Sequence, residues 1–177
     1  DETFSFIYNG KYSDKRDMDL LKNGSGQLIA IDNNDDGRYD VVLVEKASDC
    51  VVDTVNVSGD KVIIADKINR KYELKTDDSQ WKITVVDENG INIDIKAATE
   101  WTVLMIYDSF AGNELSDRII KIVASTNTVE GKLTTVDFGD EKIAVIDGNE
   151  YNLSLNYMNS GEGKMTQISP GMEGTFL

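Results

Sequence analysis

Histidine is missing from all 177 residues, which removes Ser-His-Asp and Cys-His nucleophilic arrangements and any zinc or iron site built on imidazole. Cysteine occurs once, at Cys50, so no intrachain disulfide can form and the thiol reads as a small, partly buried core residue. Proline also occurs once, at Pro170. No apolar run approaches the roughly 20 residues of a membrane-spanning helix, and no signal-peptide pattern is present. If the protein is secreted, this sequence is its mature or excised portion. Basic residues are scarce: 18 Lys and Arg stand against 32 Asp and Glu, for a net charge of −14. That balance argues against nucleic acid and anionic membrane surfaces and suits a surface bathed in cations; with no apolar run of spanning length, membrane insertion is not expected.

What the chain does have is a calcium-type loop. In Ile31-Asp32-Asn33-Asn34-Asp35-Asp36-Gly37-Arg38-Tyr39-Asp40-Val41, the side chains of Asp32, Asn34, Asp36 and Asp40 fall at loop positions one, three, five and nine. The Arg38 carbonyl stands at position seven and Gly37 at position six, where the chain must turn sharply. Every donor is an oxygen, which suits a hard cation. The flanks Gln27–Ile31 and Val41–Glu45 are short, apolar and β-branched, so they predict a β-hairpin and not the two helices of an EF-hand. Position twelve is Leu43, so there is no bidentate Glu, and the expected affinity for calcium is weak, on the order of 10⁻⁴ to 10⁻³ M. The plain alternative is a polar turn rich in Asn, Asp and Gly that binds nothing.

Period-two alternation runs through most of the chain, with turn signals between short apolar stretches. The pattern predicts strands at Phe4–Tyr8, Gln27–Ile31, Val41–Glu45, Val51–Val57, Val62–Asp66, Tyr72–Leu74, Lys82–Val86, Ile91–Ile95, Thr102–Tyr107, Arg118–Ala124, Val129–Val136, Lys142–Ile146 and Glu150–Leu155. Only Asp14–Lys22 reads as a short helix, with Asp14 able to cap it. The expected class is all-β: tandem small β-barrel or sandwich modules with a calcium-loop hairpin.

Internal similarity supports tandem modules. Asp53-Thr54-Val55 with Gly59–Ile64 resembles Asn127-Thr128-Val129 with Gly139–Val145. Ile7–Tyr12, Asp87–Ile93 and Ile146–Tyr151 look like one hairpin written three times, and Gly26–Ile29, Trp101–Leu104 and Gly174–Leu177 like one strand start. Residues 1–50 then form a partial module carrying the calcium hairpin, 51–126 a complete module and 127–177 a second partial one. In the complete module Asp108, Glu114 and Asp117 occupy the place of the calcium loop but lose its spacing, which makes them a much weaker second metal candidate.

Other motifs carry little. Gly161-Glu162-Gly163-Lys164 lacks the spacing and the Ser or Thr of a phosphate loop and reads as a turn; Gly24-Ser25-Gly26 reads as a linker. Three N-x-[ST] triplets, at Asn23, Asn56 and Asn152, matter only in a eukaryotic secretory setting. Acidic pairs fit for glycoside hydrolysis are not set among aromatics, so no enzyme is expected. Trp101 reads as a core anchor at a strand start, and Trp81 as the better candidate for an exposed, ligand-binding ring.

The segments Leu28–Val44, Val51–Val55, Glu100–Leu104, Asn127–Lys132 and Ile146–Tyr151 together resemble the central, non-anchoring region of Gram-positive cell-surface proteins that carry S-layer homology domains. The hairpin is also similar to the calcium loops of FG-GAP repeats, at Asp32, Asn34, Asp36 and Asp40. The resemblance implies a non-catalytic, extracellular structural or adhesive segment on the bacterial surface, with the cell wall or other surface modules as partners. The alternative is a calcium-scaffolded module that binds polysaccharide of the cell wall.

Overall fold

The computed structural model describes residues 4–13, 20, 25–110, 117–139, 142–154 and 168–177. Strands hold about 60% of them, in curled sheets that form a half-barrel, so the chain is all-β. The expected helix at Asp14–Lys22 and the turn at Gly161–Lys164 lie outside the described residues, apart from Leu20.

In chain order the strands are β1 (Ser5–Tyr8), β2 (Lys11–Ser13), β3 (Ser25–Ile31), β4 (Val41–Ser58), β5 (Lys61–Asp66), β6 (Lys71–Lys75) and β7 (Trp81–Asp87). They continue as β8 (Val103–Asp108), β9 (Arg118–Ser125), β10 (Val129–Asp137), β11 (Ile143–Ile146), β12 (Asn149–Asn152) and β13 (Glu173–Phe176). The larger sheet runs β2-β1-β4-β8-β9-β7, with β3 on β4 and the β5–β6 hairpin on the far half of β4. The smaller sheet runs β12-β11-β10-β13. A hydrogen bond from the Ser154 hydroxyl to Asp49 reaches from the end of β12 back to β4.

β4 organises the larger sheet. Its residues 41–44 lie parallel to β1, 41–47 antiparallel to β3, 47–51 antiparallel to β8, and 52–58 antiparallel to β5. The alternation pattern predicts two strands, Val41–Glu45 and Val51–Val57; the structure has one of 18 residues. The reason is a double phase slip. The buried positions run Val42, Val44, Ala47, Cys50, Val52, so the two-residue period breaks on each side of Ala47 as the strand rotates from one core to the next. Residue 50, where the sequence repeats divide the chain, therefore falls inside a strand. Ser25 and Gly26 likewise belong to β3 and not to a linker. A Cβ on Gly26 would stand 1.9 Å from the Glu45 carbonyl oxygen, so only glycine allows this approach. The strand expected at Ile91–Ile95 is reduced to a single bridge at Asn92 and a 3₁₀ turn at Ile95–Ala97. Two carboxylates turn the chain there: Asp87 accepts the amides of Asn89 and Ile91, and Asp94 that of Lys96.

Three apolar clusters result. The largest joins Cys50, Val52, Val62, Ile64, Leu104 and Ile122 with their neighbours; a second gathers Phe6, Tyr8, Val42 and Val44; a third Leu133, Ala144 and Ile146. Cys50 is shut inside the first, and burial, with a further push from the Asp66 charge, raises its thiol pKa to about 12. Unfolded, the thiol ionises near 9.0. The folded form therefore holds its proton more tightly, and stability declines as pH climbs from about 9 towards 12. We expect native protein at pH 8 to resist thiol reagents and to label at Cys50 only on unfolding; rapid labelling of folded protein would contradict this.

Candidate metal hairpin

The hairpin joins β3 to β4 and its tip is exposed. Its order comes from side-chain oxygens turned back on the chain. Asp32 Oδ1 accepts the Asn34 amide (3.2 Å), Asn34 Oδ1 the Asp36 amide (3.1 Å) and Asp36 Oδ1 the Arg38 amide (2.9 Å). Each is the i to i+2 bond that Asx side chains favour in turns, so the positions one, three and five of the sequence motif become one continuous spiral. Asp32 Oδ2 accepts from Gly37 (2.9 Å), across the sharp turn at φ 83°, and Asp40 Oδ2 accepts from Asn33 (2.7 Å).

Asp40 also binds the loop to the sheet. Its amide donates to the Ile31 carbonyl (2.8 Å), closing the hairpin, and its carbonyl accepts the Ser5 amide (2.7 Å), which seats β1. A restraint on Asp40 is thus felt in two neighbouring strands. The Asp32 carboxyl is held below its ordinary pKa: partial desolvation works the other way, but the amides of Gly37, Asn34, Asp35 and Asp36 favour the charged form.

The donor set fits a hard cation in kind and order: Asp32, Asn34, Asp36, Asp40 and the Arg38 carbonyl are all oxygen donors, with no nitrogen or sulfur among them. Among the described residues, however, no three His, Cys, Asp or Glu side chains gather closely enough to hold an ion as they stand. The carboxylates of the hairpin are engaged with its own amides instead.

The weaker second candidate is differently occupied. Asp108 accepts Arg118 Nε at 2.9 Å and also pairs with the Arg118 Nη2, and it takes the Phe110 amide as well (2.9 Å). Asp117 is in the left-handed region at φ 38°, and Glu114 lies outside the described residues. A guanidinium meets the carboxylate where the first hairpin has a loop of oxygens.

The two tryptophans exchange their expected surroundings. Trp81 is half-buried against the main core, with the Arg118 guanidinium 4.3 Å from its ring centre. Trp101 is 54% exposed, stands at φ 71°, and carries the Lys67 ammonium 4.1 Å from its ring centre. Lys67 is held there by Asp53 (2.7 Å) and Glu100. Hydrogen bonds to these two acids, Asp53 first, raise the Lys67 pKa against desolvation. Sequence reading missed this cluster because it joins residues 53, 67, 100 and 101 across separate turns. No family model, no curated protein and no solved structure matches the chain.

Proposed function

We propose that this chain is a non-catalytic, extracellular structural or adhesive segment of a bacterial, S-layer-associated surface protein, built of tandem small β modules and stiffened at one hairpin by calcium. The observation that carries this reading is the spiral of side-chain oxygens from Asp32 to Asp40, placed where Asp40 also ties β3, β4 and β1 together. The resemblance to surface-protein segments gives the location; the cell wall and other surface modules are the partners it implies.

Asp32, Asn34, Asp36 and Asp40 would hold the ion through side-chain oxygens and Arg38 through its carbonyl. A bound calcium ion would supply the positive charge that three neighbouring carboxylates lack. Without it, Asp32, Asp36 and Asp40 repel one another at an exposed tip. Drawing them together around an ion takes a local rearrangement, which keeps the affinity weak, about 10⁻⁴ to 10⁻³ M as in other extracellular modules. At millimolar calcium such a site adds about 0.4 to 1.4 kcal/mol of stability. The alternative, a glycan-binding module, calls for open aromatic rings, and Trp81 and Trp101 each have a cation over the ring.

Calorimetric titration tests the site. Calcium should bind at one site per chain in that affinity range, and Asp36→Ala should weaken binding at least about tenfold. Absence of binding at several millimolar calcium, or equal binding by the variant, would remove the metal from the account.

A further inference from the structure

The fold repeats one joint, and one instance of it lacks a member. The row Tyr8–Val44–Leu28 across β1, β4 and β3 recurs as Asp87–Ala124–Leu104 across β7, β9 and β8. In both, the first strand lies parallel to the second and the third antiparallel to it, so β3 and β8 hold equivalent places. β8 has a neighbour on each edge: β9 on one, and residues 47–51 of β4 on the other, with Leu104 opposite Cys50. β3 has only β4; among the described residues no strand pairs with its outer edge.

β13 supplies the third instance. Val52 bonds to the Thr102 carbonyl and receives the Trp101 amide, both at 2.9 Å; Leu133 bonds to the Met172 carbonyl (2.8 Å) and receives the Gly171 amide (2.7 Å). The turns match residue for residue. Thr99 N–H donates to Thr102 Oγ1 (3.1 Å) and Ser169 N–H to Met172 Sδ (3.2 Å), with Trp101 and Gly171 both at positive φ. So β10 receives β13 as β4 receives β8. The strand class that covers this edge is therefore visible twice in the chain, and it is absent only from β3.

The consequence is written in exposure. Leu104 is wholly buried, whereas Leu28 is 51% and its neighbour Ile29 41% exposed. β3 is seven residues long, Ser25-Gly26-Gln27-Leu28-Ile29-Ala30-Ile31, without a charge, a proline or any other feature that protects an edge strand from pairing. β13 is shorter, four residues that are mostly exposed, and it sets Gly174 opposite Gly131, a pair with no side chains to pack.

We propose that the outer edge of β3 receives β10 of a second copy of this chain, antiparallel, in the place that β13 occupies within one copy. The register follows from the complete joints: Leu28 falls opposite Gly131, where Leu104 falls opposite Cys50, and Gln27 falls opposite Lys132. The contact is head-to-tail, since the β3 end of one copy meets the β10 end of the next, and it extends to chains of copies. It does not depend on the metal hairpin.

Mixing the single variants Gln27→Cys and Lys132→Cys under mild oxidation tests the register, with Cys50 buried and out of reach. A covalent dimer joining positions 27 and 132 is expected. In sedimentation the wild type should self-associate, Leu28→Asp should weaken association at least about tenfold, and Phe176→Asp, which loosens β13 from β10, should strengthen it. Phe176 is half-buried in the third cluster, so the circular dichroism of that variant is checked for intact strand content. A protein that stays monomeric with no 27–132 link, or an oligomer indifferent to both Leu28→Asp and Phe176→Asp, overturns the proposal.

Discussion

Replacing Asp66 by alanine should lower the stability of the fold by about 3 kcal/mol, the largest effect expected of any polar position described here. The side chain is 1% exposed at the end of β5 and accepts the amides of Ile68 (3.1 Å) and Arg70 (2.7 Å) and Arg70 Nε (2.6 Å). Arg70 in turn donates to the Asp49 carbonyl (2.8 Å) on β4. Alanine would strand these donors, and a buried donor without a partner loses about 1 to 3 kcal/mol. Arg70 is a third exposed and regains some water, which keeps the figure below the upper end for buried pairs. Asp66→Asn, which keeps an acceptor, should cost about half as much. The comparison is Lys61–Glu73, a pair at 2.8 Å with both side chains more than 40% exposed; Glu73→Gln should leave the urea midpoint almost unchanged. Equal effects at Asp66 and Glu73 would contradict the burial argument.

Asn9→Ala should come next, at about 2 to 3 kcal/mol. Asn9 sits in the left-handed region at φ 45° and is buried where the ends of β1 and β8 meet along one side of β4. Its amide nitrogen donates to the carbonyls of Lys46 (2.9 Å) and Asp108 (2.8 Å), and its oxygen accepts the Lys46 amide (2.8 Å). Alanine loses all of these bonds and tolerates positive φ less well than asparagine. Asn9→Gly, which restores the backbone freedom but not the bonds, should recover only the conformational part, under about 1 kcal/mol. Asn9→Asp should not rescue, since a carboxylate would face two carbonyl oxygens. Urea unfolding of the three variants separates these contributions, and a near-neutral Asn9→Ala would show that the junction is held by its neighbours alone.

Neither residue was legible in the sequence. Asn9-Gly10 reads correctly as a hairpin turn, because the local chemistry of an Asn-Gly pair is sufficient for that. Its second role depends on carbonyls 37 and 99 positions away, which no local pattern reveals. Strand content was legible because most strands keep a clean two-residue period. β4 was not, since its period slips at Ala47 where it passes between cores, and a slip looks like a strand end. Ile91–Ile95 shows the opposite error: apolar alternation suggested a strand, but the Asp87 and Asp94 side chains took the local amides first.

The order of oxygen donors in the hairpin is legible from spacing alone; that these oxygens turn back onto the amides of Asn34, Asp36, Gly37 and Arg38 is visible only in the fold. Trp101 was misjudged because its exposure follows from the left-handed turn before β8, which is fixed by pairing with Val52. The same turn in the second sheet has Gly171, the residue that such a backbone favours. The tryptophan there marks a place where a side-chain cluster, Lys67 with Asp53 and Glu100, outweighs the backbone preference.

The central claim is that the Asp32–Asp40 hairpin is a structural cation site coupled to the stability of the sheet. Thermal unfolding in chelator and in millimolar calcium, with Asp36→Ala alongside, tests it directly. The account predicts a midpoint higher by roughly 1 to 6 °C in calcium for the natural chain and little or no shift for the variant. An unchanged midpoint in the natural chain, or the same rise in Asp36→Ala, would reduce the hairpin to an ordinary turn.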